Sequence, residues 1–144
     1  MEKPLTLKSS RKLEIRYNLP ISKTSRFWNG LKEGKVYATK CQKCGRLNFP
    51  PVADCGSCGS SKANWIELNG EGEIITFTEV HVKPASFCNE SNYIITIAKL
   101  KEGVNVLAWL TGIKREKVKV GMKVKLVTKV FPDKRIAYEF IPCD

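Results

Sequence analysis

Hydrophobic and polar positions change rhythm along the chain. Residues 1–20 keep no steady period. They are basic, Pro4 and Pro20 bracket them, and only a short piece, Arg11 to Tyr17, could continue as a helix. They read as a mobile tail or as an arm that lies on a partner. Residues 22–34 carry a helical pattern, with Ser22, Thr24 or Ser25 as caps and Gly34 as the stop. That pattern places Phe27, Trp28 and Leu31 on one side, to be buried against this chain or another protein. The period then shortens. Val36–Lys40, Leu47 with Phe49, and Trp65, Ile66 and Leu68 read as three short strands, with Pro50-Pro51 turning the chain between the last two.

After Asn69-Gly70 five β-type runs follow: Gly72–Lys83, Tyr93–Lys101, Val104–Gly112, Met122–Phe131 and Arg135–Ile141. The fourth alternates most clearly. Met122, Val124, Leu126, Thr128 and Val130 form an inward face, and Lys123, Lys125, Val127 and Lys129 an outward basic one. The break at Lys114–Gly121 shows no strong helix signal. Five strands without a long helix predict a small Greek-key barrel of the OB type. The fold class is therefore mainly β: an N-terminal arm and helix (1–35), a ribbon (36–69) and a five-stranded barrel (70–144).

The ribbon reading rests on chemistry. Cys41-Gln42-Lys43-Cys44-Gly45 and Cys55-Gly56-Ser57-Cys58-Gly59 are two C-x-x-C pairs with ten residues between them. Tetrahedral zinc bonds thiolates at about 2.3 Å, which sets sulfurs about 3.8 Å apart. Two intervening residues let one turn deliver both sulfurs at that distance. The glycine after each pair tolerates a left-handed backbone and leaves an amide free to approach a sulfur. The metal supplies stability that so small a hairpin lacks. Two other readings use the same residues: a rubredoxin-type iron site, since iron also accepts four thiolates, and two disulfides. No signal-type segment opens the chain, which sets the expectation of a reducing cytoplasm and counts against disulfides. No βαβ pattern surrounds either pair, as a thioredoxin-like redox role would need.

Composition changes the picture less. A hydrophobic share of 42% is ordinary, and no apolar run reaches the span of about 20 residues that a membrane helix needs. The formal charge is +11. It is uneven: residues 1–40 hold ten Lys or Arg against three Glu, and residues 71–144 hold twelve against nine acids. Lys40, Lys43 and Arg46 flank the sulfurs and offset the negative charge of four thiolates on a divalent ion. A basic chain with a ribbon and a barrel also fits single-stranded nucleic acid, but the aromatics are not interleaved with a basic row, and Phe77, Tyr93, Trp109, Tyr138 and Phe140 are expected mostly in the core. No catalytic constellation is legible. His81 stands two residues from Glu79 on one strand face, a surface pair, and Cys88 and Cys143 have no base nearby in sequence.

Together these residues resemble a known family, the paired rubredoxin-like zinc-ribbon and OB-fold proteins long catalogued as a domain of unknown function. The resemblance runs from about Phe27 to the end. It rests on Phe27-Trp28 with Gly30-Leu31, then Cys41-x-x-Cys44-Gly45-Arg46 with Phe49-Pro50-Pro51. Cys55-x-x-Cys58-Gly59, Trp65, Gly70-x-Gly72, Phe77-Thr78 and Gly121-Met122-x-Val124 complete it. Gly56 stands where the family often has proline. The resemblance implies a non-catalytic accessory protein that binds acyl-CoA or holds a thiolase and a hydroxymethylglutaryl-CoA synthase together. On that reading the metal ligands are Cys41, Cys44, Cys55 and Cys58. Lys123, Lys125 and Lys129 are candidate contacts to CoA phosphates, with Lys83, Lys114, Arg115 and Lys117 as looser ones. The bland alternative for the lysine row is a solvated strand face.

Overall fold

The computed structural model describes residues 18, 20–87, 89, 91–132 and 134–143. The candidate helical piece Arg11–Tyr17 and Cys88 lie outside them. A 3-10 turn over Ser22–Thr24 leads into α1 (Ser25–Lys32). No side chain caps the helix. The Ser25 hydroxyl instead donates to the Ser22 carbonyl at 3.1 Å, tightening the turn that precedes it. Gly34, at φ +81°, follows the last turn, as the sequence predicted.

Phe27 and Leu31 are buried, whereas Trp28 is 39% exposed. One residue is about 100° of helix, enough to swing Trp28 off the packed side. Gly30 lies on that side because the Tyr37 ring needs the space: a Cβ there would meet the ring at 2.6 Å. A helical glycine costs about 1 kcal/mol against alanine, and here it admits an aromatic ring.

Three strands form the ribbon sheet, in the order β2-β1-β3: β1 (Val36–Cys41), β2 (Leu47–Asn48) and β3 (Ala63–Leu68). The register runs from Val36↔Leu68 to Cys41↔Ala63, so β1 and β3 carry the chain to the cysteines without slippage. The peptide bond between Phe49 and Pro50 is cis.

The second half closes into a barrel with strand order β4-β5-β6-β8-β7. Its strands are β4 (Glu71–Val80), β5 (Tyr93–Leu100), β6 (Asn105–Leu110), β7 (Lys123–Val130) and β8 (Ile136–Pro142). All pairs are antiparallel except β6 with β8, and β4 carries a bulge between Ile74 and Thr76. The break before β7 holds only a short 3-10 turn, Arg115–Lys117. Ile74, Leu100, Val106, Val124 and Phe140 fill the interior. The predicted fold class therefore stands: mainly strands, a short N-terminal helix, a cysteine-bearing ribbon and a closed five-stranded barrel.

One core runs through both sheets, from Phe27, Leu31, Val36, Ala38 and Leu68 into the barrel residues. Aromatic edges mark the seam. Phe27 meets Phe49 at 6.0 Å and Tyr138 at 6.2 Å, and Phe49 meets Tyr138 at 5.3 Å. Burial among them raises the Tyr138 hydroxyl above its ordinary pKa.

One expectation of the strand reading fails. Val130, predicted inward, is 59% exposed, and Lys129 is half-buried. The cause is topological. β7 pairs with β4 only over Lys123–Lys125, so its far end leaves the closed barrel and continues as a hairpin with β8. Of the five aromatics expected mostly in the core, Phe140 is buried and Phe77 and Tyr138 pack against that core, which leaves Tyr93 and Trp109. Their neighbours Ile94, Ala108 and Leu110 are buried, so these two rings take the alternate, outward face.

Candidate metal centre and charged barrel face

Two knuckles of matching construction hold the four cysteines. In the first, Cys41 N–H donates to the Arg46 carbonyl and Gly45 N–H to the Cys41 carbonyl, both at 2.9 Å. In the second, Cys55 N–H donates to Ser60 at 2.9 Å and Gly59 N–H to Cys55 at 2.8 Å. Gly45 and Gly59, at φ +72° and +66°, let each turn close. Their amides therefore bind carbonyls and not sulfurs, a correction to the sequence reading. The amides that approach sulfur are those of Cys44 and Lys43 for Cys41, of Ser57 and Cys58 for Cys55, and of Ser60, just past the second turn, for Cys58.

All four sulfurs lie within 4.8 Å of one another, with Cys41 to Cys58 at 3.5 Å and Cys44 to Cys55 at 3.6 Å. A disulfide needs about 2.05 Å. These spacings instead suit four bonds of about 2.3 Å to one tetrahedral ion, so the two-disulfide reading is set aside. Arg46 Nη1 donates to Ser57 Oγ, which ties one knuckle to the other beside the thiolates. Without metal the group is already poised. Amides of Ser57 and Cys58 hold Cys55 down to about 6. Cys58 is pushed up to about 12, the Ser60 amide being outweighed by burial and by the neighbouring sulfurs. An ion binds the four sulfurs as thiolates, so its uptake releases protons and weakens as pH falls.

Lys123 and Lys125 project from the outer barrel face. They stand opposite Glu73 and Glu71, so two acidic positions of β4 lie between basic residues of β7 and β5. Lys101 Nζ is 2.5 Å from Glu71 Oε2, and that contact lowers the Glu71 pKa while it raises that of Lys101. Lys99, Lys101, Lys123 and Cys143 line a cleft of about 510 Å³ with Glu71 and Glu73. Sequence reasoning missed Lys99 and Lys101, which only strand pairing brings beside Lys123. Lys129 stands apart: its Nζ is 2.8 Å from Glu139 Oε2 and 5.3 Å from the Phe131 ring centre. Of the looser candidates, Arg115 stacks over Phe77 at 4.6 Å, and Lys114 lines a cleft with Tyr93 and Trp109.

Both nitrogens of His81 are engaged. Nε2 is 3.0 Å from Glu79 Oε2, and Nδ1 is 2.8 Å from Asn92 Nδ2. An imidazole that donates from Nε2 and accepts at Nδ1 satisfies both contacts, leaving neither nitrogen for a nucleophile. Among the described residues no helix is long and apolar enough to cross a membrane.

Comparison with known proteins agrees with this geometry. Residues 28–63 match the model of the ChsH2 rubredoxin-like zinc ribbon domain, and residues 65–129 that of the ChsH2 C-terminal OB-fold domain. A DUF35 domain-containing scaffold protein of Pyrococcus furiosus is 36% identical over 106 residues, covering 73% of this chain and 77% of that one. The 3-oxo-4,17-pregnadiene-20-carboxyl-CoA hydratase alpha subunit of Mycobacterium tuberculosis is 30% identical over 110 residues, which is 76% of this chain but 35% of that subunit. The solved structure titled Ltp2-ChsH2(DUF35) aldolase shares the fold, with a TM-score of 0.73 at 24% identity over 88% of this chain and 98% of that one.

Proposed function

Because the chain belongs to the DUF35 family of zinc-ribbon and OB-fold proteins, we propose that it is a non-catalytic accessory protein that docks on an enzyme of acyl-CoA metabolism. The observation that carries this reading is the shared core. Phe27 and Phe49 lock the ribbon against Tyr138 of the barrel, making one rigid adaptor of two small sheets. Relatives named scaffold protein and CoA hydratase subunit support the kind of partner. The partner we favour is a thiolase-type condensing enzyme, alone or with a hydroxymethylglutaryl-CoA synthase-type enzyme, in the cytoplasm. The working pieces are a basic arm and helix (1–35), the ribbon (36–69) and the barrel (70–144).

The ion is structural zinc held by Cys41, Cys44, Cys55 and Cys58, and it takes no part in chemistry. Metal analysis of the purified chain finds zinc; iron would appear in the same measurement and in the visible spectrum, and would overturn the choice. For acyl-CoA, Lys123 and Lys125 are the phosphate contacts we propose, joined by Lys99 and Lys101 across the cleft. Lys101 and Lys129 serve only if a phosphate displaces Glu71 and Glu139 from them. Phosphate recognition by converging cations is the chemistry invoked.

The test is a titration with CoA and acetoacetyl-CoA, with and without the purified thiolase-type enzyme of the same organism. Binding that weakens in a Lys123→Ala, Lys125→Ala variant supports the ligand site. Absence of both CoA binding and enzyme binding sinks the whole reading.

A further inference from the structure

Apart from Thr96 inside and the Lys99–Asn105 pair outside, β5 and β6 are apolar on both faces. Ile94, Ala98, Leu100, Val106, Ala108 and Leu110 point inward and are buried. Tyr93, Ile95 and Ile97 alternate with the first of these along β5, and Leu107 and Trp109 with the others along β6. Pairing of Ile95 with Trp109 and of Ile97 with Leu107 joins the outward residues into one block. Trp109 stacks on Tyr93 at 4.4 Å, and Phe87 from the preceding loop meets both rings at 6.0 and 6.1 Å. Leu107 is 59% exposed and Phe87 37%. A strand apolar on both faces is the pattern of a strand covered on both sides. Phe87 covers only the ring pair, and α1 packs instead on β1, β7 and β8, so among the described residues the face around Leu107 stays open.

What covers it can be argued from ring contacts and charge. Strands two and three of an OB barrel are where such folds take ligands, nucleic acid included. A base needs an open ring face and a cation beside it. Here Tyr93 and Trp109 lie 14° from parallel and occupy one another, and the cations beside them, Lys114 and Arg115, share their cleft with the carboxylates of Glu79 and Glu116. No charged residue occurs among the outward positions from Tyr93 to Ile97 or from Leu107 to Trp109. The occupant is therefore an apolar protein surface. A second copy is disfavoured because two chains of formal charge +11 repel as they approach.

We propose that the outward face of β5 and β6, centred on Leu107 and Trp109, is the docking surface for the acyl-CoA enzyme, met by an apolar patch on a partner of net negative charge. The proposal rests on the accessory role above and adds the face and the partner's character. Aromatic side chains such as Tyr93 and Trp109 are enriched at the centre of such interfaces, where charge is depleted.

The experiment compares the metal-loaded wild-type chain with Leu107→Asp and Phe87→Ser, binding each to the purified thiolase-type enzyme of the same organism at low and high salt. Both positions are exposed, so circular dichroism and metal content remain as in wild type. Leu107→Asp is expected to weaken binding by about tenfold or more, Phe87→Ser by less. The wild-type association rate should fall as salt rises. Equal affinity of wild type and Leu107→Asp overturns the face but leaves the accessory role standing. A wild type that binds no enzyme overturns the accessory role itself. If sedimentation shows a wild-type dimer that Leu107→Asp splits, the occupant is a second copy. If Leu107→Asp instead abolishes binding to a single-stranded oligonucleotide, the occupant is nucleic acid. Either result rejects the proposal.

Discussion

The ribbon and the barrel reach order by different routes. The ribbon has three strands, one of them two residues long, and its buried apolar side chains besides the cysteines, Val36, Tyr37, Ala38 and Leu68, do not enclose a core of their own. Four sulfurs and a borrowed neighbour hold it. The barrel buries side chains from every strand around Phe140 and closes on itself, so its backbone partners lie within one sheet. A unit too small to exclude water must import a strong bond or a neighbour's surface, whereas a closed sheet supplies both partners itself.

That contrast breaks hardest at the metal. Chelation, or Cys55→Ser, should remove an interaction of about 10–16 kcal/mol and unfold β1–β3. Hydrogen exchange checks this: amides of β1–β3 should lose protection while those of β4–β8 keep most of theirs. Uniform loss would mean that the barrel leans on the ion as well.

The seam comes next. Phe27→Ala removes a buried ring that touches Phe49 and Tyr138. A cost of about 3–5 kcal/mol is expected in denaturant unfolding. Ribbon and barrel probes that coincide in wild type should separate in the variant. A single unchanged transition would deny the seam its role.

The smallest effect sharpens the barrel side. Lys101 donates to Glu71 and depresses its pKa, while Glu71 raises that of Lys101. The Glu71 contribution is present above the ordinary glutamate range and is lost as pH falls through its depressed value. The Lys101 contribution is full below the ordinary lysine range and is lost as pH rises through its raised value. Glu71→Gln should therefore lower the thermal midpoint slightly at neutral pH. The gap from wild type should shrink in strong acid, where both chains lack the charge. A gap that persists unchanged at low pH would point to packing instead.

Much of this molecule was legible in advance because its signals are local. Two C-x-x-C-G turns state their geometry within five residues each. Alternation in Met122–Leu126 states which face of a strand is buried. Signals failed where the deciding neighbour is distant in sequence. Trp28 faces outward because α1 meets β1, β7 and β8 along one narrow side. Val130 is exposed because β7 outruns its partner β4. Tyr93 and Trp109 lie outside because apolar alternation cannot say which of two apolar faces is the inner one.

Sequence alone determined the element types, the two cysteine turns and the barrel class, since turn chemistry and side-chain period act within a few residues. Only the tertiary structure decided that the ribbon rests on Tyr138, that Lys99 and Lys101 join Lys123, and that an apolar face is left outward. Those outcomes depend on which strands pair and in what register, and a one-residue change of register would move every side chain on the strand to the opposite face.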